Sequence, residues 1–183
     1  VADDSVYFED VKNGDHTVGI VTNDNAKEFY GWYDNADCLG DAVTTIPAGS
    51  SGEKVFYAKW GPVRSDETYV DAGGNTMPQQ RCAQITSDVT ALDAGWYIVK
   101  GQVSIDQTVT VSGDVKLILA DDAVLTIVVG QGNRAGISIP AGSSLEIFAQ
   151  TAAGTGSLSA TAGELSAGIG GNYNGTCGTV VIN

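Results

Sequence analysis

Few residues in this chain are equipped for chemistry, and their spacing argues for turns rather than a reaction centre. His16 is the only histidine. It sits beside a turn, and the local sequence offers no triad or metal partner of the kind a catalytic or ligating imidazole needs. Asp121-Asp122 is the only adjacent acidic pair after Gly95. Glycoside hydrolysis uses two carboxylates that face each other across the scissile bond. This pair instead follows Leu117-Ile-Leu-Ala120 directly, at a corner where Asp is favoured as a turn residue. Proton abstraction from a uronate needs a base and a group that neutralises the carboxylate. After Gly95 the basic residues are Lys100, Lys116 and Arg134, far apart in sequence. Gly168-Ile-Gly-Gly171 lacks the lysine and the strand–helix context of a phosphate loop. The expectation is therefore no catalytic residue, no enzymatic activity and no cofactor.

Metal binding fares little better. Asp34-Asn-Ala-Asp37 with Asp41, and Asp71 with Asn75, are oxygen-rich, but neither has the spacing of an EF-hand loop. They read as polar turns, with calcium as the alternative, and no metal site is predicted. Cys38, Cys82 and Cys177 form no Cys-x-x-Cys pair, which argues against zinc. A Cys82–Cys177 disulfide and three buried thiols both remain open. The net charge is −13. It predicts repulsion from nucleic acid and from anionic membranes. No apolar run reaches the length of a membrane span, so no insertion is expected.

The elements that would hold these residues follow two patterns. Up to about Trp60 the chain reads as short strands broken by turns: Val6–Phe8, Thr17–Thr22, Phe29–Tyr33, Val43–Ile46 and Lys54–Trp60. Glu67–Val70 and the residues after Asn75 form a hairpin that caps the C-terminal half. From Gly95 a self-similarity appears. Val109, Val111, Leu117 and Leu119 align with Ile137, Ile139, Leu145 and Ile147 at an offset of 28. A fixed period of about 20–50 residues signals stacked units that bury apolar faces only against one another. Trp96–Val99 and Gln102–Ile105 read as an entry layer. A first rung uses Val109–Val111, Val115–Leu119 and Val124–Ile127. A second uses Ile137–Ile139, Leu145–Ala149 and Ser157–Ala160, and a third begins near Ala167–Gly171 or Gly178–Ile182. The only methionine is Met77, and the sequence ends within such a rung, so the chain reads as a piece of a larger protein.

Two resemblances sharpen this reading. Phe29-Tyr-Gly-Trp-Tyr33, Thr45-Ile-Pro-Ala-Gly-Ser-Ser-Gly52 and Phe56-Tyr-Ala-Lys-Trp60 resemble the Listeria–Bacteroides, or internalin B-type, repeat. That likeness implies a small β-grasp-like module over residues 1–62, with Trp32 and Trp60 in its core. Gly95–Gly101, Leu117–Asp122, Leu145–Gln150 and Ala167–Gly171 resemble the pectate-lyase-like right-handed parallel β-helix of gut-bacterial surface proteins. This implies a mainly β chain in which residues 63–183 form an N-terminal cap and the first two to three rungs. The implied function is a non-catalytic structural and adhesive module, extracellular, secreted or attached to the cell wall. The alternatives are a carbohydrate-binding module and, less favoured, a polysaccharide lyase or glycosidase. Expected partners are a host or dietary glycan, a host surface protein, or a second copy meeting the open end of the helix. The rings available for stacking on sugar are Trp96, Tyr97, Phe148 and Tyr173, although Trp96 can equally plug the end of the helix.

Overall fold

The computed structural model describes residues 16–17, 27–130 and 132–183. The expected strand Val6–Phe8 and most of Thr17–Thr22 lie outside the described residues. Every regular element among the described residues is a strand, and the chain divides into two compact units, Val1–Val63 and Arg64–Asn183.

In the first unit, β1 (His16–Thr17) pairs antiparallel with β3 (Thr45–Ile46), and β2 (Lys27–Tyr33) with β4 (Tyr57–Pro62). Gly31 breaks the register of β2 with φ +132°, and a Cβ there would lie 2.7 Å from Ala42 Cβ. Both constraints select glycine. Trp32 and Ile46 are buried, with Phe29, Val43, Phe56 and Ala58 packed on them. The Phe29 ring centroid lies 5.5 Å from that of Trp32 and 5.2 Å from that of half-buried Trp60. These are spacings at which aromatic pairs attract beyond their buried area.

The second unit opens with an antiparallel hairpin of β5 (Arg64–Val70) and β6 (Thr76–Gln84). Asp71 closes its turn by accepting the backbone N–H groups of Gly73 (2.9 Å) and Asn75 (2.8 Å). From β7 (Ala91–Val99) onward every pairing in this unit is parallel. The strands are β8 (Gln102–Ile105), β9 (Val109–Leu119), β10 (Val124–Val128), β11 (Ile137–Ser138), β12 (Ser144–Ala149), β13 (Ser157–Thr161), β14 (Ile169–Gly170) and β15 (Thr179–Ile182).

The pairings sort into three ladders. The starts of β7 and β9 pair in the first, which β11 and β14 extend; Ile137 lies opposite both Val109 and Ile169. The ends of β7 and β9 pair in the second with β12 and β15, which sets Tyr97, Leu117 and Ile147 in one row. The third stacks β8, β10 and β13, with Ile105, Ile127 and Ala160 in one row. Strand β9 serves two ladders because it turns at Gly113 (φ +75°), where a Cβ would come 3.1 Å from Ala94 Cβ.

The register shows how far the 28-residue repeat extends. It holds where Ile137 faces Val109, then lengthens to 30, so Leu145 faces Val115 and Ile147 faces Leu117 rather than Leu117 and Leu119. The extra length lies in the turn at Pro140–Ser143, closed by Ser143 N–H donating to the Pro140 carbonyl at 3.1 Å. Two residues of slip preserve which face each side chain occupies, because strand side chains alternate with a period of two.

Val109, Val111, Leu117, Ile137, Ile139 and Leu145 are all buried to 2% exposure or less, and Leu119 and Ile147 are buried as well. Rows from different ladders meet around a void of only about 10 Å³, lined among others by Leu117, Leu125, Ile127 and Leu145. At roughly 1.5–3 kcal/mol per fully buried aliphatic side chain, this interior is the main source of stability. Ile85, Val89 and Leu92 line the same void, so the segment after β6 contributes to the interior.

Candidate functional site

Alternation along β7, β9 and β12 puts Tyr97, Leu117 and Ile147 on the interior side of the second ladder. Trp96, Ile98, Lys116, Ile118, Glu146 and Phe148 lie on the other side. That second side is also covered. Ile98 and Ile118 are 0% exposed and Phe148 is 4% exposed. The cover includes Tyr69 of β5, whose ring lies 4.7 Å from Trp96 and 4.8 Å from Phe148, while Trp96 and Phe148 stack at 5.4 Å.

This arrangement changes the reading of the four aromatic residues proposed for sugar stacking. Phe148 is a correction: it is 4% exposed and packs against Tyr69 and Trp96 rather than standing on the surface. Trp96 is half-buried, and Lys116 Nζ occupies the space over its ring at 5.0 Å. Lys116 also stands 3.9 Å from Glu146 Oε2, while Glu146 Oε1 accepts from Asn183 Nδ2 at 2.9 Å. Tyr97 packs against the core and donates its hydroxyl to the Asp93 carbonyl at 3.0 Å. Tyr173, 47% exposed, is the one of the four with an open ring. The structure brings Trp96 and Phe148 together and does not bring Tyr97 or Tyr173 to them.

A polar network beside the cluster was not anticipated from sequence. The Glu67 side chain is 7% exposed and its Oε1 accepts from Lys100 Nζ at 2.5 Å and from Ser65 Oγ at 2.5 Å. Its Oε2 accepts from Gln150 Nε2 at 3.0 Å. Burial alone would raise the Glu67 pKa. The hydrogen bonds from Lys100 and Ser65, the Lys100 charge and the Gln150 amide outweigh that effect and hold it below its ordinary value. The alternation of Glu67 and Tyr69 along one strand puts both on one face, but nothing local names the residues they meet.

Asp121, Asp122 and Asp71 hold turns. Asp121 and Asp122 occupy the corner expected of them: Ala123 N–H donates to the Ala120 carbonyl at 3.0 Å, and Asp122 adopts φ +61°. Asp121 Oδ2 accepts from Thr151 Oγ1 at 2.7 Å. The Asp71 carboxyl is held below its ordinary pKa by the hydrogen bonds from Asn75 and Gly73 that close its turn. All three cysteines are free. Cys82 is fully buried, and desolvation, with Glu67 and Asp66 nearby, pushes its thiol up to about 11. Among the described residues no three His, Cys, Asp or Glu side chains gather as a metal site, and no helix is long and apolar enough to cross a membrane.

One further cavity, of about 200 Å³, lies between the ends of β12 and β15. It is lined by Leu119, Ile147, Phe148, Ala149, Gly154, Gly156, Ile182 and Asn183, and no side chain that titrates near neutral pH faces it. Set against known proteins, the chain matches no family model, no curated protein and no solved structure.

Proposed function

We propose that residues 63–183 are the capped first turns of a right-handed parallel β-helix and residues 1–62 a β-grasp-like repeat of the Listeria–Bacteroides type. Together they act as a non-catalytic structural and adhesive module of a secreted or wall-attached bacterial surface protein. One observation carries this reading. Three parallel ladders share a closely packed apolar interior, while Glu67, Lys100, Lys116, Glu146 and Asp121 beside them are engaged in ion pairs and hydrogen bonds. Such a stack gains stiffness from backbone ladders and stacked side chains and uses no cofactor. The test is incubation with polygalacturonate and alginate, with calcium and with EDTA, following unsaturated products and new reducing ends. The expected result is no turnover in either condition. Turnover lost in an Asp121→Asn, Asp122→Asn variant would overturn the proposal in favour of an enzyme.

A second reading, carbohydrate binding, is favoured by Tyr173, whose ring is open to solvent and free to stack on a sugar.

A further inference from the structure

Three loops meet at the corner where the third ladder passes into the first. Gly163 N–H donates to the Arg134 carbonyl at 3.0 Å. Tyr173 N–H is held by the Asn133 carbonyl at 3.4 Å and Ser166 Oγ at 3.1 Å. Asn172 fastens the third loop beneath: its Oδ1 accepts from Ala135 N–H at 2.8 Å and its Nδ2 donates to Ser138 Oγ at 3.1 Å, where Ser138 is buried. The loops are thus fixed to one another before any ligand arrives, which lowers the ordering cost of binding.

The corner presents several exposed side chains. Leu165 is 72% exposed yet adopts φ +59°, a conformation that is uncommon for a bulky side chain. Asn174 adopts φ +56° beside the exposed Tyr173 ring. Arg134 is exposed, and among the described residues no partner is seen for its guanidinium. By contrast, Lys100 is paired with Glu67 and Lys116 with Glu146.

We propose that the corner formed by Asn133, Arg134, Leu165, Tyr173 and Asn174 binds a glycan whose terminal sugar carries a carboxylate. The pyranose face lies on the Tyr173 ring, the hydroxyls meet the Asn133 and Asn174 amides, and the carboxylate takes the two parallel N–H donors of Arg134. A single terminal carboxylate suits this chain better than a polyanion, because the net charge of −13 repels extended negative ligands. The site deepens the second reading above, and its failure leaves the structural one standing.

The carboxylate has two sources, a sialic acid or a uronic acid, so the experiment has two arms. Titration calorimetry with 3′-sialyllactose and with a glucuronic-acid-terminated disaccharide is compared with lactose. Either acidic probe should bind and lactose should not. Arg134→Gln and Tyr173→Ala should each weaken binding about tenfold or more. Tyr173→Phe should keep it, and the thermal transition should stay in place for all three variants. Equal binding of lactose, unchanged affinity in Arg134→Gln, or no binding of either acidic probe at about 10 mM would overturn the proposal.

Discussion

At the residue scale, the informative groups are those held away from water. Cys82 has its folded pKa raised from 9.0 to about 11, so the folded state keeps a proton that the unfolded state loses. This stabilising contribution is complete below about pH 9 and is lost as pH rises from there towards 11. Thiol labelling at pH 8 should therefore modify exposed Cys177 quickly and leave Cys82 unmodified until denaturant is added. Rapid labelling of Cys82 in the native protein would show that β6 does not hold its side chain in the core. Glu67 has the opposite sign. Its folded pKa lies below the ordinary 4.5, so its contribution is present above that pH and fades as pH falls through the folded value. Glu67→Gln should lower stability by about 1–3 kcal/mol at pH 7 and flatten the acid limb of the stability profile, measured by urea unfolding. Neither role was legible in the sequence, because Glu67 finds Gln150 across 83 positions.

At the element scale, the apolar pattern held more than the presence of strands. Leu117-Ile-Leu-Ala120 is a continuous apolar run, not an alternation, which is how a strand buried on both faces reads. Trp96-Tyr-Ile-Val99 shows the same run, and Leu145-Glu-Ile-Phe148 ends in two apolar residues. All three lie in the second ladder, under the hairpin. Reading Phe148 as a surface ring overlooked this, since nothing local in β12 says that β5 will cover it. Tyr69→Ala should cost about 2–3 kcal/mol and red-shift the Trp96 contribution to the fluorescence, because the ring next to Trp96 is lost. An unshifted emission with unchanged stability would mean the hairpin does not sit there. The tight corners give a second test. A Cβ on Gly156 would lie 2.6 Å from the Ala120 carbonyl oxygen and 2.7 Å from Leu119 Cβ. Gly156→Ala should destabilise by about 1–3 kcal/mol in the same unfolding assay, through overpacking.

At the scale of the whole molecule, the repeat pointed to the pairing of Val124–Ile127 with Ser157–Ala160, which forms at a longer offset because of extra residues in the Thr151–Gly156 turn. The exact register of the second ladder was not legible in it, because turn length between strands is set by backbone closure at corners such as Pro140–Ser143, to which an apolar pattern is blind. The two expected starts of a third rung, near Gly168 and near Gly178, turn out to be two strands, β14 and β15, in different ladders. The central claim is that the second unit is built of parallel strands, paired in the register above, around one apolar interior. The most direct test is nuclear Overhauser spectroscopy on isotopically labelled protein. The account predicts that Thr126 gives amide contacts to both the Ser104 and Ser159 strands without short Hα–Hα contacts, and that Leu125 methyl groups contact Val103 and Leu158. Short Hα–Hα contacts between these strands, or Leu125 methyl groups touching neither neighbour, would contradict it.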